Sequence, residues 1–218
     1  MKNKTRIFIV DDHAVIREGL ALLINNEKDF EVCGQAEDAD SAKNEILELK
    51  PDLAIIDISL KGGSGIELVR ELNRIGVDLP FLVLSMHEES FYADRAIKAG
   101  AKGYIMKHET FEKLTQAIRH ILSGKIYLSE KMMDQVLNAY AKPSAETGSS
   151  PLDSLTNREL EVLDMIGQGL TTREIAENIH LSKKTIGVYR ERLKSKLGLK
   201  NAAELSKFAF NCYENKNQ

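Results

Sequence analysis

Five polar residues follow short apolar runs in the first half of the chain, and their types suit chemistry at phosphorus. They are Asp11, Asp12, Asp57, Ser85 and Lys107. Three carboxylates that share one site raise one another's pKa, and Mg²⁺, which prefers oxygen ligands, would relieve this repulsion. A carboxylate fixed beside a bound metal can attack phosphorus and form an acyl phosphate. We expect Asp57 to be this nucleophile, because the preceding residues read as a buried strand.

The remaining two groups would serve the phosphoryl oxygens. Lys107 would form an ion pair with them, and the Ser85 hydroxyl would donate a hydrogen bond to one. Each acid taken singly is better explained as a surface loop residue. The set as a whole could also belong to an ordinary dinucleotide or metal site, although no glycine-rich phosphate loop follows the first apolar run.

The elements that must position these groups alternate between apolar runs and helical patterns. The runs are Arg6 to Val10, Phe30 to Ala36, Leu53 to Ile58, Phe81 to Leu84 and Gly103 to Met106. Amphipathic stretches of helical spacing separate them, and this alternation predicts a doubly wound α/β domain with a five-stranded parallel sheet. Ligands of such sheets bind at the carboxyl ends of the strands, where all five polar residues would converge.

The second half of the chain predicts a different architecture. Residues 128–141 look helical, and the small polar residues and prolines of 142–151 read as a flexible linker. From Leu152 onward the pattern predicts a small all-α domain of four helices. Capping residues precede an acid by three positions at Thr156, Thr171 and Asn201, and Ser182 opens another helix.

Charge is distributed unevenly between these halves. Residues 152–218 carry 11 Lys and Arg against 9 Asp and Glu, although the whole chain has a net charge of −3. Residues 182–200 contain seven basic side chains and one acid, Glu191. A basic segment on an acidic protein suggests a polyanionic partner, but a solvated helix face explains the same charges.

The first half of the chain resembles the receiver domains of two-component response regulators. The match rests on Asp11-Asp12, Asp57, Ser85 and the run from Ala99 to Lys107, and it covers roughly residues 4–125. The resemblance implies that a histidine kinase phosphorylates Asp57. It implies that Mg²⁺ is bound by Asp11, Asp12, Asp57 and the backbone carbonyl of Ser59, and that Ser85 and Tyr104 report phosphorylation. Tyr104 alone reads equally well as a packing aromatic on an edge strand.

The second half resembles the LuxR-type helix-turn-helix of NarL/FixJ response regulators across residues 152–215. The run Leu155 to Leu163, Gly169, Glu174-Ile175-Ala176, Lys184-Thr185-Ile186 and Lys196-Leu197-Gly198 carry this match. The first helix of the motif would span Arg173 to Ile179. The second, Lys183 to Leu197, would enter the major groove of DNA.

We expect the DNA contacts to come from the start of both helices and from the groove-facing side of the second. The predicted set is Thr172, Ser182, Lys183, Lys184, Thr185, Gly187, Val188, Arg190, Glu191, Arg192, Lys194 and Lys196. Gly187 and Glu191 depart from the family, which often has long polar or basic residues there. Glu191 could read a cytosine or could pair with Lys184 or Lys194 within the helix.

These features predict a receiver domain at 4–125, a helical segment and linker at 126–151, and a DNA-binding domain at 152–215. The expected function is transcription regulation, in which Asp57 phosphorylation controls dimerisation and DNA binding, without classical enzyme activity. The expected partners are a sensor histidine kinase, double-stranded DNA, a second copy of the chain and RNA polymerase, but no membrane. No signal peptide or membrane span is visible, so we expect a cytoplasmic protein.

Two alternatives stay open at this point. The receiver could be only an interaction module of a DNA-binding regulator that does not depend on phosphorylation. Alternatively, Asp57 could be the nucleophile of an α/β phosphohydrolase, although that class usually carries a second aspartate where this chain has Ser59.

Overall fold

The computed structural model describes residues 4–61, 63–86, 89–130, 132–134 and 151–214. The chain divides into two compact units, Met1–Asn138 and Ala139–Gln218. Most of the predicted linker, residues 135–150, lies outside the described residues. No helix in the described ranges is long and apolar enough to cross a membrane.

The first unit is a five-stranded parallel sheet with helices between its strands, as predicted. Its strands are β1 (Thr5–Val10), β2 (Phe30–Ala36), β3 (Leu53–Asp57), β6 (Phe81–Ser85) and β7 (Gly103–Met106), and they lie in the order β2-β1-β3-β6-β7. The connecting helices are α1 (Ala14–Asn25), α2 (Ala39–Leu49), α3 (Gly65–Arg74), α4 (Glu89–Ala99) and α5 (Phe111–Leu122).

Burial explains why the central strands read as continuous apolar runs. Every residue of β3 and β6 is buried, which is expected where helices cover both faces of a parallel sheet. One layer of the core joins Ile7 and Ile55 of the sheet to Ile24 of α1 and Ile118 of α5. This packing fixes the carboxyl ends of β1, β3, β6 and β7 side by side.

A two-stranded hairpin that the apolar pattern did not predict follows β3. Its strands are β4 (Ser59–Leu60) and β5 (Gly63–Ser64), which pair antiparallel, and α3 begins at the next residue. The backbone N–H of Gly65 donates to the carbonyl of Ile58 at 2.8 Å. The hairpin therefore turns the chain back, so that α3 starts against the end of β3.

The outer edge of β7 is paired with residues that follow α5. Gly103 and Tyr127 form an isolated parallel bridge. The N–H of Tyr104 donates to the carbonyl of Tyr127 at 3.1 Å, and the N–H of Tyr127 donates to the carbonyl of Lys102 at 2.9 Å. Tyr127 lies two residues beyond the predicted receiver boundary at residue 125, yet it hydrogen-bonds to the sheet of the first unit.

The second unit is all-helical in its described residues. A short 3₁₀ turn at Pro151–Ser154 precedes α6 (Asn157–Gly167), α7 (Thr172–Asn178), α8 (Lys183–Leu197) and α9 (Ala202–Glu214). Thr156 and Thr171 form complete capping boxes with acids three positions later, and the Ser182 side chain accepts from the N–H of Thr185. The four predicted helices are therefore confirmed.

Candidate functional site

The polar residues at the ends of β1, β3 and β7 meet at one edge of the sheet. Asp11 is 1 % exposed and Asp57 is 3 % exposed, so both carboxyl groups are held in the protein interior. The Lys107 Nζ lies 2.6 Å from Asp11 Oδ2 and 2.8 Å from Asp57 Oδ2. Asp11 and Asp57 are 46 positions apart in sequence, and Asp57 and Lys107 are 50 apart, yet the three residues form one buried ionic cluster.

The electrostatics of this cluster are unbalanced. Burial alone would lower the pKa of Lys107, but the charges of Asp57 and Asp11 and their hydrogen bonds outweigh it and raise the pKa above 10.5. Lys107 is therefore a cation at neutral pH. Asp12 adds a third carboxylate to the same end of the sheet, and one ammonium group cannot neutralise three acids.

The geometry of the acids suits a metal ion. Ligand atoms of Asp11, Asp12, His13 and Asp57 all lie within 4.8 Å of one another. The buried oxygens Asp11 Oδ2 and Asp12 Oδ1 lie 2.6 Å from Lys107 Nζ and 2.7 Å from His13 Nδ1, respectively. Carboxylate oxygens gathered this closely are the ligands that a hard divalent cation prefers. The cluster can therefore hold a metal.

His13 is a site residue that the sequence reasoning missed. It directly follows the acidic pair, and its Nδ1 lies 2.7 Å from Asp12 Oδ1. The signal was present in the sequence, because a histidine beside two metal-binding candidates is itself a ligand type.

The two predicted switch residues are both buried. Ser85 is inaccessible at the end of β6, next to β7. Tyr104 is 1 % exposed, so its ring lies inside the domain. This is the position that the resemblance assigns to the phosphorylated state. Ser59, the predicted source of a backbone carbonyl ligand, lies in the hairpin directly after Asp57 and Ile58.

Gly65 supports the site in a way that the sequence did not indicate. A Cβ atom added at Gly65 would lie 1.9 Å from the backbone oxygen of Asp57 and 2.6 Å from Ile56 Cγ2. Since no side chain fits at that distance, glycine at the start of α3 is what allows this helix to pack against the backbone of Asp57.

The basic helix α8 presents most of the predicted DNA contacts to solvent. Ile186 and Leu193 are fully buried and anchor it to the domain. Ser182, Lys183, Lys184, Val188, Glu191 and Arg192 are exposed, and Thr172, Thr185, Gly187 and Arg190 are partly exposed. A Cβ added at Gly187 would meet nothing within 4 Å, so the helix surface is open there.

Two of the predicted DNA contacts are engaged within the domain. Lys194 Nζ lies 2.9 Å from Glu191 Oε1, which is the intrahelical pair that the sequence allowed. Lys196 Nζ donates to Glu159 Oε2 at 2.6 Å and to the carbonyl of Ser154 at 3.0 Å. A DNA contact by the Lys196 ammonium would require this buried acid to lose its partner.

Family models match both units. Residues 7–119 match the model described as response regulator receiver domain, which covers half of the chain. Residues 153–209 match the model described as bacterial regulatory proteins, luxR family.

Similar proteins agree with these matches. The oxygen regulatory protein NreC of Staphylococcus epidermidis is 34 % identical over 209 residues, which cover 94 % of this chain and 96 % of NreC. A LuxR-family two-component response regulator from Aurantimonas sp. SI85-9A1 is 33 % identical with a TM-score of 0.59, covering 64 % of this chain and 100 % of that one. RcsB of Salmonella typhimurium, in a structure concerned with its DNA interaction, is 25 % identical with a TM-score of 0.55, covering 96 % and 99 %. The chain therefore belongs to the response regulators of two-component systems that join a receiver domain to a LuxR-type DNA-binding domain.

Proposed function

We propose that a sensor histidine kinase phosphorylates Asp57 and that this phosphorylation controls dimerisation and sequence-specific DNA binding. The observation that carries the proposal is the position of Lys107 between Asp11 and Asp57, with the buried carboxylates held close together. This arrangement supplies a rigid nucleophile and a cation for the phosphoryl oxygens in one site.

The proposed reaction transfers one phosphoryl group. A carboxylate oxygen of Asp57 attacks the phosphorus of a phosphohistidine, the P–O bond forms, and the P–N bond breaks while the imidazole leaves with its nitrogen lone pair. Asp11, Asp12, Asp57 and the carbonyl of Ser59 would hold Mg²⁺, which would neutralise charge on the phosphoryl oxygens. Lys107 would then exchange part of its contact with Asp57 for a phosphoryl oxygen, and Ser85 would donate a hydrogen bond to another.

The same residues would act as the switch. The Ser85 hydroxyl moves toward the phosphoryl group in the proposed mechanism, and the Tyr104 ring fills the space behind it. Phosphorylation shifts the equilibrium between the inactive and active receiver only as far as it favours the active state. A second candidate is a regulator that binds DNA without phosphorylation, in which the buried Tyr104 ring is simply a packing aromatic of the core.

We propose that α8 lies in the major groove and that the starts of α7 and α8 contact phosphates. Lysines and backbone N–H groups at a helix start suit phosphate oxygens. Lys183 and Lys184 are exposed at the start of α8. The proposed contacts are Thr172, Ser182, Lys183, Lys184, Thr185, Gly187, Val188, Arg190, Glu191, Arg192, Lys194 and Lys196. DNA-bound dimers would pair two weak half-sites.

The remaining proposals concern organisation. The hydrogen bonds of Tyr127 favour a receiver domain that extends slightly past the predicted 4–125 range, with the DNA-binding domain at 152–215. A partner histidine kinase, RNA polymerase and genomic DNA all suit a protein of the cytoplasm.

The test is a DNA titration by fluorescence anisotropy with a fragment selected from genomic DNA. Wild type and Asp57→Asn are compared in Mg²⁺, with and without beryllium fluoride, which mimics a phosphoryl group on aspartate. We expect beryllium fluoride to tighten binding by wild type and to leave Asp57→Asn unchanged. Equal binding by both proteins in both conditions would replace the proposal with the phosphorylation-independent regulator.

A further inference from the structure

His13 stands at the start of α1 but does not serve the helix. It is the N-cap residue, with φ −92° and ψ 104°, and its side chain makes no capping hydrogen bond. Residues that cap through a side-chain oxygen are favoured at this position, so the choice of histidine is not explained by the helix. The ring lies instead among the carboxylates of the acidic site.

The contacts of His13 tie it to the metal-binding carboxylates. Its backbone N–H donates to Asp11 Oδ1 at 2.9 Å. Its Nδ1 lies 2.7 Å from Asp12 Oδ1 and 3.5 Å from Asp11 Oδ1. The ring is half exposed, with 52 % of the side chain accessible, so it can adjust without disturbing the core.

The two Nδ1 separations of 2.7 Å and 3.5 Å fit neighbouring ligands on a single ion. Adjacent ligands on an octahedral ion with bonds of about 2.1 Å lie about 3 Å apart, and opposite ligands lie about 4.2 Å apart. The donor atoms of Asp11, Asp12, His13 and Asp57 span no more than 4.8 Å. The site also holds more acid than its lysine can balance, because Lys107 is shared between Asp11 and Asp57 while Asp12 lies beside them.

We propose that His13 is a nitrogen ligand of this metal site and gives it a preference for first-row transition-metal ions such as Mn²⁺ or Co²⁺ over Mg²⁺. A neutral imidazole with its proton on Nε2 offers the lone pair of Nδ1. Imidazole favours transition-metal ions, whereas Mg²⁺ favours oxygen ligands alone. The inference rests on the proposed function, because it assumes that the acidic cluster binds a divalent cation.

A second arrangement of the same atoms would give His13 no place on the metal. In that arrangement Nδ1 carries the proton and donates to Asp12, and the ring only orients the carboxylate, as histidines and carboxylates beside metals often do for one another. The two arrangements differ in whether a metal–nitrogen bond exists. An experiment must therefore detect that bond rather than the activity of the protein.

The experiment uses Mn²⁺ and the full chain. Pulsed electron paramagnetic resonance detects the ¹⁴N nucleus of a coordinated imidazole as a modulation of the echo. We expect the modulation of a directly bound nitrogen in wild type and none in His13→Ala. Single alanine substitutions of the other histidines serve as matched controls and should keep the modulation: His87, His108, His120 and His180.

Metal affinities give a second readout. The loss of the free Mn²⁺ signal measures binding, and competition with Mg²⁺ gives the ratio of the two dissociation constants. We expect His13→Ala to reduce the preference for Mn²⁺ by about tenfold, the lower end of the loss seen when a supporting group is removed from a metal site. Asp12→Asn should weaken the binding of both ions.

The outcomes separate this inference from the proposed function. If Mn²⁺ binds to wild type and no directly bound nitrogen appears, or if His13→Ala keeps the modulation, the role of His13 as a ligand is overturned and the metal site stands. If wild type binds neither Mn²⁺ nor Mg²⁺, the metal-dependent part of the proposed function fails as well.

Discussion

Each unit of the chain contains a lysine that contacts a buried carboxylate, but the charges around the two lysines are balanced differently. In the receiver, Lys107 is 5 % exposed and lies between Asp11 and Asp57, with Asp12 nearby. In the DNA-binding unit, Lys196 is 35 % exposed and contacts a single buried acid, Glu159. The receiver cluster keeps excess negative charge, whereas the second pair is neutral.

The environment of Glu159 shows what a balanced site looks like. Burial disfavours its charge, but hydrogen bonds from Lys196 and from the N–H of Thr156 lower its pKa below 4.5. The carboxylate closes the capping box of α6 and is fully used within the domain. The comparison teaches that a buried acid matched by one cation stabilises a fold, while buried acids that outnumber their cation are available as metal ligands.

Two glycines extend the comparison from charge to backbone. Gly65 of the receiver has no room for a Cβ, because the backbone of Asp57 occupies that space. Gly187 of α8 has open space around the same position. Close backbone packing therefore fixes the receiver site. The surface of the DNA-binding helix has no such contact at Gly187.

The largest loss of stability is expected from Lys107→Met. A substitution without effect on the free energy of unfolding would contradict the comparison. Removal of one partner of a buried pair costs about 3–5 kcal/mol, because the other charge stays buried. The folded pKa of Lys107 is raised above 10.5, so its contribution is complete at neutral pH and is lost as pH rises through the folded value. Calorimetry of the full chain without metal measures the loss.

The exposed Lys102 lies directly before β7, as Lys107 lies directly after it, and provides the matched control for that substitution. Lys102→Met should change the unfolding free energy by less than about 0.5 kcal/mol. Mg²⁺ should restore part of the stability lost in Lys107→Met, because a cation replaces the missing charge. If Lys107→Met and wild type were equally stable in chelator, the acidic cluster would not carry excess negative charge.

Gly65→Ala is expected to have the second largest effect. The added methyl group cannot be accommodated without moving α3 or Asp57, and overpacking of this kind costs about 1–3 kcal/mol. Phosphorylation of Asp57 by a small-molecule phosphodonor should fall with it. Gly63→Ala is the control, since its Cβ would meet only Ala39 Cβ at 3.8 Å. Intact mass spectrometry measures phosphorylation, and an unimpaired Gly65→Ala would contradict the close approach.

Glu159→Gln tests the balanced pair and should cost less, about 1–2 kcal/mol, because a charged hydrogen bond is lost but Lys196 can reach water. The folded pKa of Glu159 lies below 4.5, so its contribution is present above pH 4.5 and is lost as pH falls through the folded value. The free energy of unfolding of Glu159→Gln should therefore decrease less than that of wild type as pH falls.

Glu174→Gln is the control for this substitution, because Glu174 forms the equivalent capping box of α7 at an exposed position. We expect its effect on the unfolding temperature to be the smaller of the two. The calorimetric transition that Mg²⁺ does not shift reports the DNA-binding unit. If the two glutamates behaved alike, burial and Lys196 would not be what distinguishes Glu159.

The smallest effect is expected from Gly187→Ala, which should stabilise the DNA-binding unit by about 0.5–1 kcal/mol. Alanine favours a helix interior over glycine by this amount, and the added methyl group meets nothing. Gly198→Ala should destabilise instead, since Gly198 has φ +68°. Calorimetry with DNA titration sharpens the comparison: weaker DNA binding by a more stable Gly187→Ala would indicate that the backbone of α8 approaches DNA at this position.

Local pattern was sufficient to predict the elements and the edge where the acids meet. The central strands read as apolar runs because both of their faces are buried. Thr156 and Thr171 indicated helix starts because capping is local in sequence. The rule that parallel strands gather ligands at their carboxyl ends then brought Asp11 and Asp57 together.

Contacts between distant segments were beyond such reasoning. The pairing of Lys196 with Glu159 joins residues 37 positions apart, and nothing in either local pattern indicates it. The need for glycine at Gly65 arises from the path of the hairpin, whose strands are only two residues long. His13 differs, because its neighbours in sequence already indicated its surroundings.

The bridge from Tyr127 to β7 has a consequence for the solubility of shortened chains. An unpaired outer strand offers a row of hydrogen-bonding groups to other molecules, and such edges promote self-association. A chain that ends at residue 125 lacks the residue that satisfies the N–H of Tyr104, whereas one that ends at residue 130 keeps it. Size-exclusion chromatography should find the shorter chain aggregated and the longer one not. We therefore expect the pairing of Tyr127 to prevent the edge of β7 from binding a strand of another molecule.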